Sequence, residues 1–529
     1  KGDKIPGDYT WTIMVYLDGD NNLESFALED MNEMELVDLA SEGVNVIVLV
    51  DRCLRYTTED GNWSGTRLYE IQADNNETIE SRRLADPVYL GLTDTGNAEE
   101  LNMGDPATVT AFINFCQYNY PASRYALIFW NHGDGWKNKT AGQNLEEVIR
   151  FKPRFIGSDK EKKLNENIDK SVCSDEDNQN DILYMSEVHS AISGKGLHLV
   201  GFDACLMGMV EVAYQIKDDA LVMVASEETE PSSGWVYDRF LHSVINLIDN
   251  SEENVGIAIV DTYIDYTNYN DLTLSAIDLT NMDALINAIN TFATNLQLAD
   301  NNDICKGRGE TLCFYEPHYI DLYHFAQQMP GVTGSEDVII EINNTVIHHR
   351  HRDFPDSHGL SIYYPYYNDW DSEYSAYNVT TIKFPADSAW DDFLSDYYSE
   401  CTLYTIETFP NGGSGSENTD TYLVIFSSTL NYIYEDDDSG SINFHSKLKL
   451  PLASGETYYI LVFEYWNSPG PYSILVNDTG GGSSFVIPGI DAYEPNDIYQ
   501  EANNINYNVT QDHYLEYSDE DWMYLTDVP

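Results

Sequence analysis

Apolar runs that end in short polar turns recur through the first 400 or so residues. Trp11-Thr-Ile-Met-Val-Tyr-Leu17 is followed by Asp18-Gly19-Asp20-Asn21, and Val44-Asn-Val-Ile-Val-Leu-Val50 ends at Asp51. Tyr125-Ala-Leu-Ile-Phe-Trp130 ends at Asn131-His132-Gly133. Leu197-His-Leu-Val-Gly-Phe202 ends at Asp203-Ala204-Cys205, and Leu221-Val-Met-Val-Ala225 makes a fifth such run. These runs have strand length and are apolar on both faces. Helical spacing lies between them: Leu23, Phe26, Ala27, Met31, Met34 and Leu36 after the first, and residues 105–119 and 185–193 before the third and fourth. A helix is predicted to start at Cys205, continuing through Met209, Val210, Val212 and Ala213. Further helices are predicted at 279–297, 335–347 and 388–398, with a strand at Gly359–Pro365. Buried strands alternating with helices predict an α/β fold, a mostly parallel sheet flanked by helices.

The pattern changes at about residue 402. Short β-rich runs at 403–407, 421–426, 442–450, 457–463 and 471–476 alternate with turn residues, the signature of an all-β sandwich. A Gly/Ser stretch at 479–484 reads as a linker or long loop, and 513–526 is β-like again. The expected organisation is an α/β domain over 1–400 and a β-sandwich domain over 401–529. Residues 137–182 interrupt the first pattern and collect scarce bases: Lys137, Lys139, Arg150, Lys152, Arg154, Lys160, Lys162, Lys163 and Lys170.

The chain of 529 residues carries a formal charge of −62. Phosphates would be repelled, which argues against nucleic acid and anionic membranes as partners and fits an extracellular or salty medium. No apolar stretch is long enough for a membrane-spanning helix. Lys1-Gly2-Asp3-Lys4 has no apolar signal core, so an exported protein would be present here in processed form. The 7 cysteines leave at least one thiol unpaired and form no CxxC motif; Cys305 and Cys313 close a short loop and are candidates to pair.

Asp18, His132 and Cys205 all fall just past predicted strand ends, the edge where α/β sheets bind ligands. Cys205 is a candidate nucleophile, its thiol pKa lowered by the amides of the helix predicted there. His132 is a candidate proton-transfer group. A glycine at 133 lets a backbone N–H approach a substrate carbonyl, with the Cys205 N–H as the second oxyanion donor.

Asn131-His-Gly-Asp-Gly-Trp136 and Phe202-Asp-Ala-Cys-Leu-Met-Gly-Met209 resemble the two signature motifs of the clostripain-like cysteine peptidases. So do Trp11–Leu23, Met185-Ser-Glu-Val188, Ser226–Pro231 with Gly234-Trp235, and Gly359–Pro365, in the same order. The resemblance covers most of residues 9–397. It implies a caspase-like sheet and hydrolysis of protein or peptide substrates through a Cys205 acyl-enzyme, with His132 protonating the leaving amine and no cofactor. It also implies secretion or display at the cell surface. Asp203 matches the acid of a pocket for Arg or Lys before the scissile bond. Ser232 and Ser233 stand where arginine-preferring relatives carry another acid, so Ser233 and Glu230 are further substrate-binding candidates. Self-processing is expected within 137–170. Segments between 404 and 460 resemble the later strands of bacterial pre-peptidase C-terminal domains, and Glu494–Asp497 with Asp519–Trp522 resemble the opening of one. That reversed order fits one permuted or strand-completed sandwich, or one copy and the start of a second. Asp436, Asp437, Glu494, Asn496, Asp519 and Asp521 are its candidate ligands for a structural calcium ion. Two other readings remain open: an inactive peptidase fold serving as an adhesin, and a metal-dependent hydrolase using Asp18 and Asp20. The oligomeric state is not legible.

Overall fold

The computed structural model describes residues 9–53, 55–76, 78–96, 99–137, 172–366, 370, 376–378, 381–410, 419–437, 439–440, 444–464, 470–478, 503–504, 511–515 and 520–525. The basic cluster expected to be self-processed lies almost wholly outside these residues, as do Glu494, Asn496 and Asp519.

In chain order the first strands are β1 (Trp11–Gly19), β2 (Val44–Arg52), β3 (Arg67–Glu70), β4 (Arg82–Leu84) and β5 (Arg124–Trp130). A hairpin of β6 (Val172–Asp175) and β7 (Asp181–Leu183) follows, then β8 (Leu199–Asp203), β9 (Val222–Ala225) and β10 (Leu272–Asp278). Next come β11 (Tyr319–Asp321), β12 (Val346–Arg352) and β13 (Ser361–Tyr363). Nine of these form one sheet in the order β12-β10-β9-β8-β5-β1-β2-β3-β4. Its five central strands, β9 to β2, run parallel. The outer pairs, β10 with β12 and β3 with β4, are antiparallel.

Alternation along each strand builds two cores, one on each face. Ile13, Val15 and Leu17 join Val46, Val48 and Val50 in one. Met14 and Tyr16 join Ile47 and Leu49 in the other. The helix Glu24–Glu35 carries the chain from β1 to β2. The helix Pro106–Asn119 leads to β5; its first turn is capped by Asp105, whose Oδ1 accepts the Ala107 N–H at 2.8 Å, with proline where no N–H is needed. Because β2 lies on one side of β1 and β5 on the other, the chain reverses direction across the sheet between β1 and β5. Ligand sites collect at the carboxyl side of such a reversal.

The structure differs from the sequence expectation in four places. The helix expected at Cys205 starts at Val210 and ends at Gln215. Residues 205–209 turn instead: Leu206 takes a φ of 64°, its N–H reaches Glu228 O at 3.2 Å, and the Gly208 N–H reaches Ser226 O at 2.6 Å. The helix expected over 335–347 ends at Thr345, and the His/Arg-rich segment after it becomes edge strand β12. Its polar residues suit an edge, where one side of the strand faces no partner. The strand expected at Gly359–Pro365 shortens to β13 and pairs with β11, outside the main sheet. Cys305 lies in the helix Asn301–Glu310, and no disulfide joins it to Cys313.

The remaining strands are β14 (Leu403–Pro410), β15 (Thr421–Phe426), β16 (Tyr432–Asp436), β17 (Lys447–Pro451), β18 (Tyr458–Glu464), β19 (Gly470–Asp478), β20 (Asn503–Asn504), β21 (Gln511–Leu515) and β22 (Glu520–Leu525). They form two sheets, β17-β14-β19-β21 and β16-β15-β18-β22-β20. Ile406, Leu448 and Val476 from one share a core with Leu423, Ile460 and Met523 from the other. The last segment adds β21 beside β19 in one sheet, and β22 beside β18 with β20 beyond it in the other.

Candidate active site

The register of the parallel sheet sets the site. Trp130 on β5 pairs with Asp203 on β8. Two residues further along each chain stand His132 and Cys205, which therefore leave adjacent strands at the same level. Gly133 presses against the second segment. A Cβ at 133 would overlap the Cys205 carbonyl oxygen and stand 3.2 Å from the Cys205 nitrogen. Only glycine permits that approach, which brings two backbone segments together where an oxyanion would need donors.

His132 is half-buried, and its Nε2 lies 2.7 Å from Oδ1 of Asn22 in the turn after β1. The side chain of Asn131 accepts the His132 backbone N–H through Oδ1 and donates through Nδ2 to Asp18 Oδ2 at 2.5 Å. Asn21 Nδ2 donates to Asn131 Oδ1 at 3.2 Å and to Ser174 O at 3.2 Å. Three strand ends, β1, β5 and β6, are thereby tied behind the histidine. Asp18 is inside β1 and fully buried, and burial, then the nearby charges of Asp175 and Asp20, raise its pKa. Its reach to Asn131 makes it a support for the His132 loop. Asn21 and Asn22 lie within the Trp11–Leu23 motif, where a pair of amides after a strand has no signal of its own.

The Glu230 backbone holds the Cys205 sulfur on its other side. The Glu230 N–H donates to Sγ at 3.3 Å, and Sγ lies 3.7 Å from Glu230 O. An amide donor on sulfur favours its anionic form. This hydrogen bond stands where the helix N-terminus had been expected.

Asp203, two residues before Cys205, is buried. It accepts the Trp235 N–H at 3.1 Å and the Tyr237 hydroxyl at 3.0 Å. Gly234, at a φ of 53°, makes room for it: a Cβ there would stand 2.7 Å from Asp203 Oδ1. Burial raises the Asp203 carboxyl to about 6, although the Glu230, Trp235 and Tyr237 hydrogen bonds pull it down. Glu230 lies against Asp203 and is raised well above the usual range by burial, then by the charges of Asp203 and Cys205. The Glu230 Oε2 atom is buried and has no hydrogen-bond partner. The two carboxyls form a coupled pair that holds a proton when no cation is present. Ser233 and Ser232 are exposed on a turn beyond this pair.

The remaining acids of the Ser226–Pro231 segment brace the walls. Glu227 Oε2 accepts the Gly359 N–H at 3.0 Å, and Glu228 Oε2 the Tyr315 N–H at 2.9 Å. The Ser361 N–H reaches Gly208 O at 2.9 Å, so β13 backs the Cys205 turn. In the C-terminal strands, Asp436 Oδ2 accepts the Lys447 N–H at 2.7 Å and the Ser439 N–H at 3.1 Å. Asp437 is half-buried beside it, and Asp521 lies on β22.

The model of the clostripain family matches residues 15–397. Clostripain of Hathewaya histolytica is 30% identical over 351 residues, 59% of this chain and 61% of that protein, so the match spans about three-fifths of its length. An inactive zymogen C11 protease from Parabacteroides distasonis has a similar fold, with a TM-score of 0.51 and 18% identity over 72% of this chain and 99% of its own. A secreted C11 cysteine protease from Bacteroides thetaiotaomicron, solved with an irreversible peptide inhibitor, gives a TM-score of 0.49 and 18% identity over 74% of this chain and 100% of its own.

Proposed function

The chain belongs to the clostripain family, and from that premise we propose that it is an exported cysteine endopeptidase acting through His132 and Cys205. The observation that carries this reading is their common level at the ends of β5 and β8, with Gly133 against Cys205. The Cys205 sulfur attacks the scissile carbonyl carbon. The Gly133 and Cys205 N–H groups hold the developing oxyanion, a term worth about 3–4 kcal/mol per donor in such sites. His132 gives a proton to the leaving amine as the C–N bond breaks. Water then cleaves the thioester, releasing the acid and restoring the thiol.

Specificity for Arg or Lys before the scissile bond rests on Asp203 and Glu230. A guanidinium or ammonium would take the place of the proton they share, and the carboxylate oxygens it leaves would accept the N–H groups of that cation. Ser233 lines the rim. Self-processing within 137–170 follows from the same specificity, because that stretch concentrates Lys and Arg. The two C-terminal sheets are read as a strand-completed β-sandwich module over 401–529, with Asp436, Asp437 and Asp521 as its candidate calcium ligands. Export is supported by the charge of −62.

Fluorogenic peptides ending in Arg, Lys, Gln or Ala test both levels of the reading. Wild type should cleave the Arg and Lys peptides fastest, and Cys205→Ala should cleave none. Equal rates on all four would remove the basic pocket and leave the peptidase. Full activity in Cys205→Ala would remove the peptidase reading itself.

A further inference from the structure

Glu227 and Asp321, two acids to which the peptidase chemistry assigns no step, are both completely buried. Glu227 follows β9, and Asp321 ends β11. They take consecutive backbone amides. Asp321 Oδ2 accepts the His358 N–H at 2.5 Å, and Glu227 Oε2 accepts the Gly359 N–H at 3.0 Å. Neighbouring amides bring the two carboxyls side by side. The amides themselves are held in place: Gly359 takes a φ of 103°, and a Cβ there would stand 2.8 Å from Ser275 Oγ.

Two buried like charges in contact repel strongly, and only a cation or a proton between them relieves it. Among the described residues the one ion-pair partner of either acid is His358. Its Nδ1 lies 3.2 Å from Asp321 Oδ1, on the far side from Glu227 Oε2, and its ring stacks on Tyr323 at 3.9 Å. Burial works against the His358 cation, but the Asp321 hydrogen bond and the charges of Asp321 and Asp356 raise its pKa. His324, lowered by burial, gives Asp321 only its backbone N–H at 2.6 Å. Glu227 Oε1 is buried, and no backbone or other side-chain group donates to it. Burial, then the charge of Asp321, with a smaller push from Glu228, raises the Glu227 carboxyl well above its ordinary range.

We propose that Glu227 and Asp321 share one proton, carried on Glu227 Oε1 and donated to Asp321, and that this proton makes Glu227 a positioning residue for the Cys205 turn. Glu227 then accepts through one oxygen and donates through the other, as an amide side chain would. Its two chain neighbours hold the turn. Ser226 O takes the Gly208 N–H at 2.6 Å, and Glu228 O takes the Leu206 N–H at 3.2 Å. Thr273 Oγ1 accepts the Glu227 and Glu228 N–H groups at 3.1 Å each, so the segment is gripped from β10 as well. Fixing the Glu227 side chain fixes both carbonyls, and with them the residues just after the nucleophile. Loss of the proton leaves two charges repelling between this segment and β11. The positioning role rests on the peptidase reading; the shared proton does not.

The test compares Glu227→Gln and Glu227→Ala with the unsubstituted chain. Thermal unfolding is followed in full-length Cys205→Ala protein, which reads the shared proton whether or not the peptidase reading stands. Folded Glu227 keeps a proton that the unfolded chain releases above its ordinary range, so stability falls as pH rises. Glu227→Gln supplies the same acceptor and donor with no proton to lose. Its Tm should equal that of the parent at pH 4.5 and lie progressively above it toward pH 8. Asp321→Asn removes the partner, and in that background Glu227→Gln should lose its pH-dependent advantage. With Cys205 intact, Glu227→Ala should lower kcat by roughly tenfold or more for Arg and Gln peptides alike, and Glu227→Gln should recover most of that loss. Parallel falls of Tm with pH in the parent and Glu227→Gln would overturn the shared proton. A Glu227→Gln protein as slow as Glu227→Ala, its Tm advantage intact, would overturn the positioning role.

Discussion

Gly133 and Cys205 touch backbone to backbone: the space a Cβ would need at 133 is filled by the Cys205 carbonyl. Gly133→Ala must therefore push the two segments apart. Displacements near 1 Å cost about 100-fold in rate at well-aligned sites, while one extra methyl in a packed region costs about 1–3 kcal/mol of stability. The expected outcome is a folded protein with a large loss of kcat/KM and a small fall in Tm. Full activity in Gly133→Ala would contradict this placement.

Asn22 acts on His132 from behind, through the 2.7 Å contact at Nε2. Asn22→Ala should lower kcat with little change in KM, since it frees the ring without touching the substrate pocket. Asn22→Asp is the sharper variant. A carboxylate at that distance favours the imidazolium and raises its pKa, so the histidine limb of the kcat/KM profile should move to higher pH. An unmoved profile in Asn22→Asp would remove Asn22 as a positioning residue.

The proposed basic pocket of Asp203 and Glu230 predicts a pH-dependent preference for basic peptides. Asp203 titrates near 6. Below that pH both carboxyls are protonated and repay a bound cation poorly. The KM for an Arg peptide should rise as pH falls through about 6, whereas that for a Gln peptide should not. Glu230→Gln should cost about 2–5 kcal/mol of binding for the Arg peptide alone. Parallel losses for both peptides would place Glu230 outside the pocket.

Glu211 offers a stability test away from the catalytic groups. It is buried, accepts the Tyr363 N–H at 3.0 Å and the Tyr377 hydroxyl at 3.0 Å, and burial raises its carboxyl to about 7 from an ordinary 4.5. Between those values the folded protein holds a proton that the unfolded chain has released. Stability from this group is therefore present at low pH and lost as pH rises toward 7. Glu211→Gln keeps the acceptor without the charge. It should match wild type in stability near pH 4.5 and exceed it above pH 7 by about 3 kcal/mol, with a higher Tm there. Equal Tm values at pH 8 would show that the carboxyl ionises freely.

Much of this protein could be read along the chain. Period-2 burial on both faces of Trp11–Leu17, Val44–Val50 and Tyr125–Trp130 specifies a covered parallel sheet, because no single-faced strand has that pattern. The residues just past such strands, His132 after Tyr125–Trp130 and Cys205 after Leu197–Phe202, are locatable for the same reason. Strand-rich segments after residue 402 were equally plain. Other features depended on residues distant in sequence. Only the register Trp130 to Asp203 decides that His132 and Cys205 leave the sheet together. The helix expected at Cys205 gives way to a turn because Ser226 and Glu228, on the next strand's exit, take its amides. Glu230 reaches the sulfur across 25 positions, and Asn22 reaches the histidine across 110. Hydrophobic periodicity is a local property and is written residue by residue. Hydrogen bonds and shared protons need partners in space, and the folded sheet alone determines which residues become neighbours.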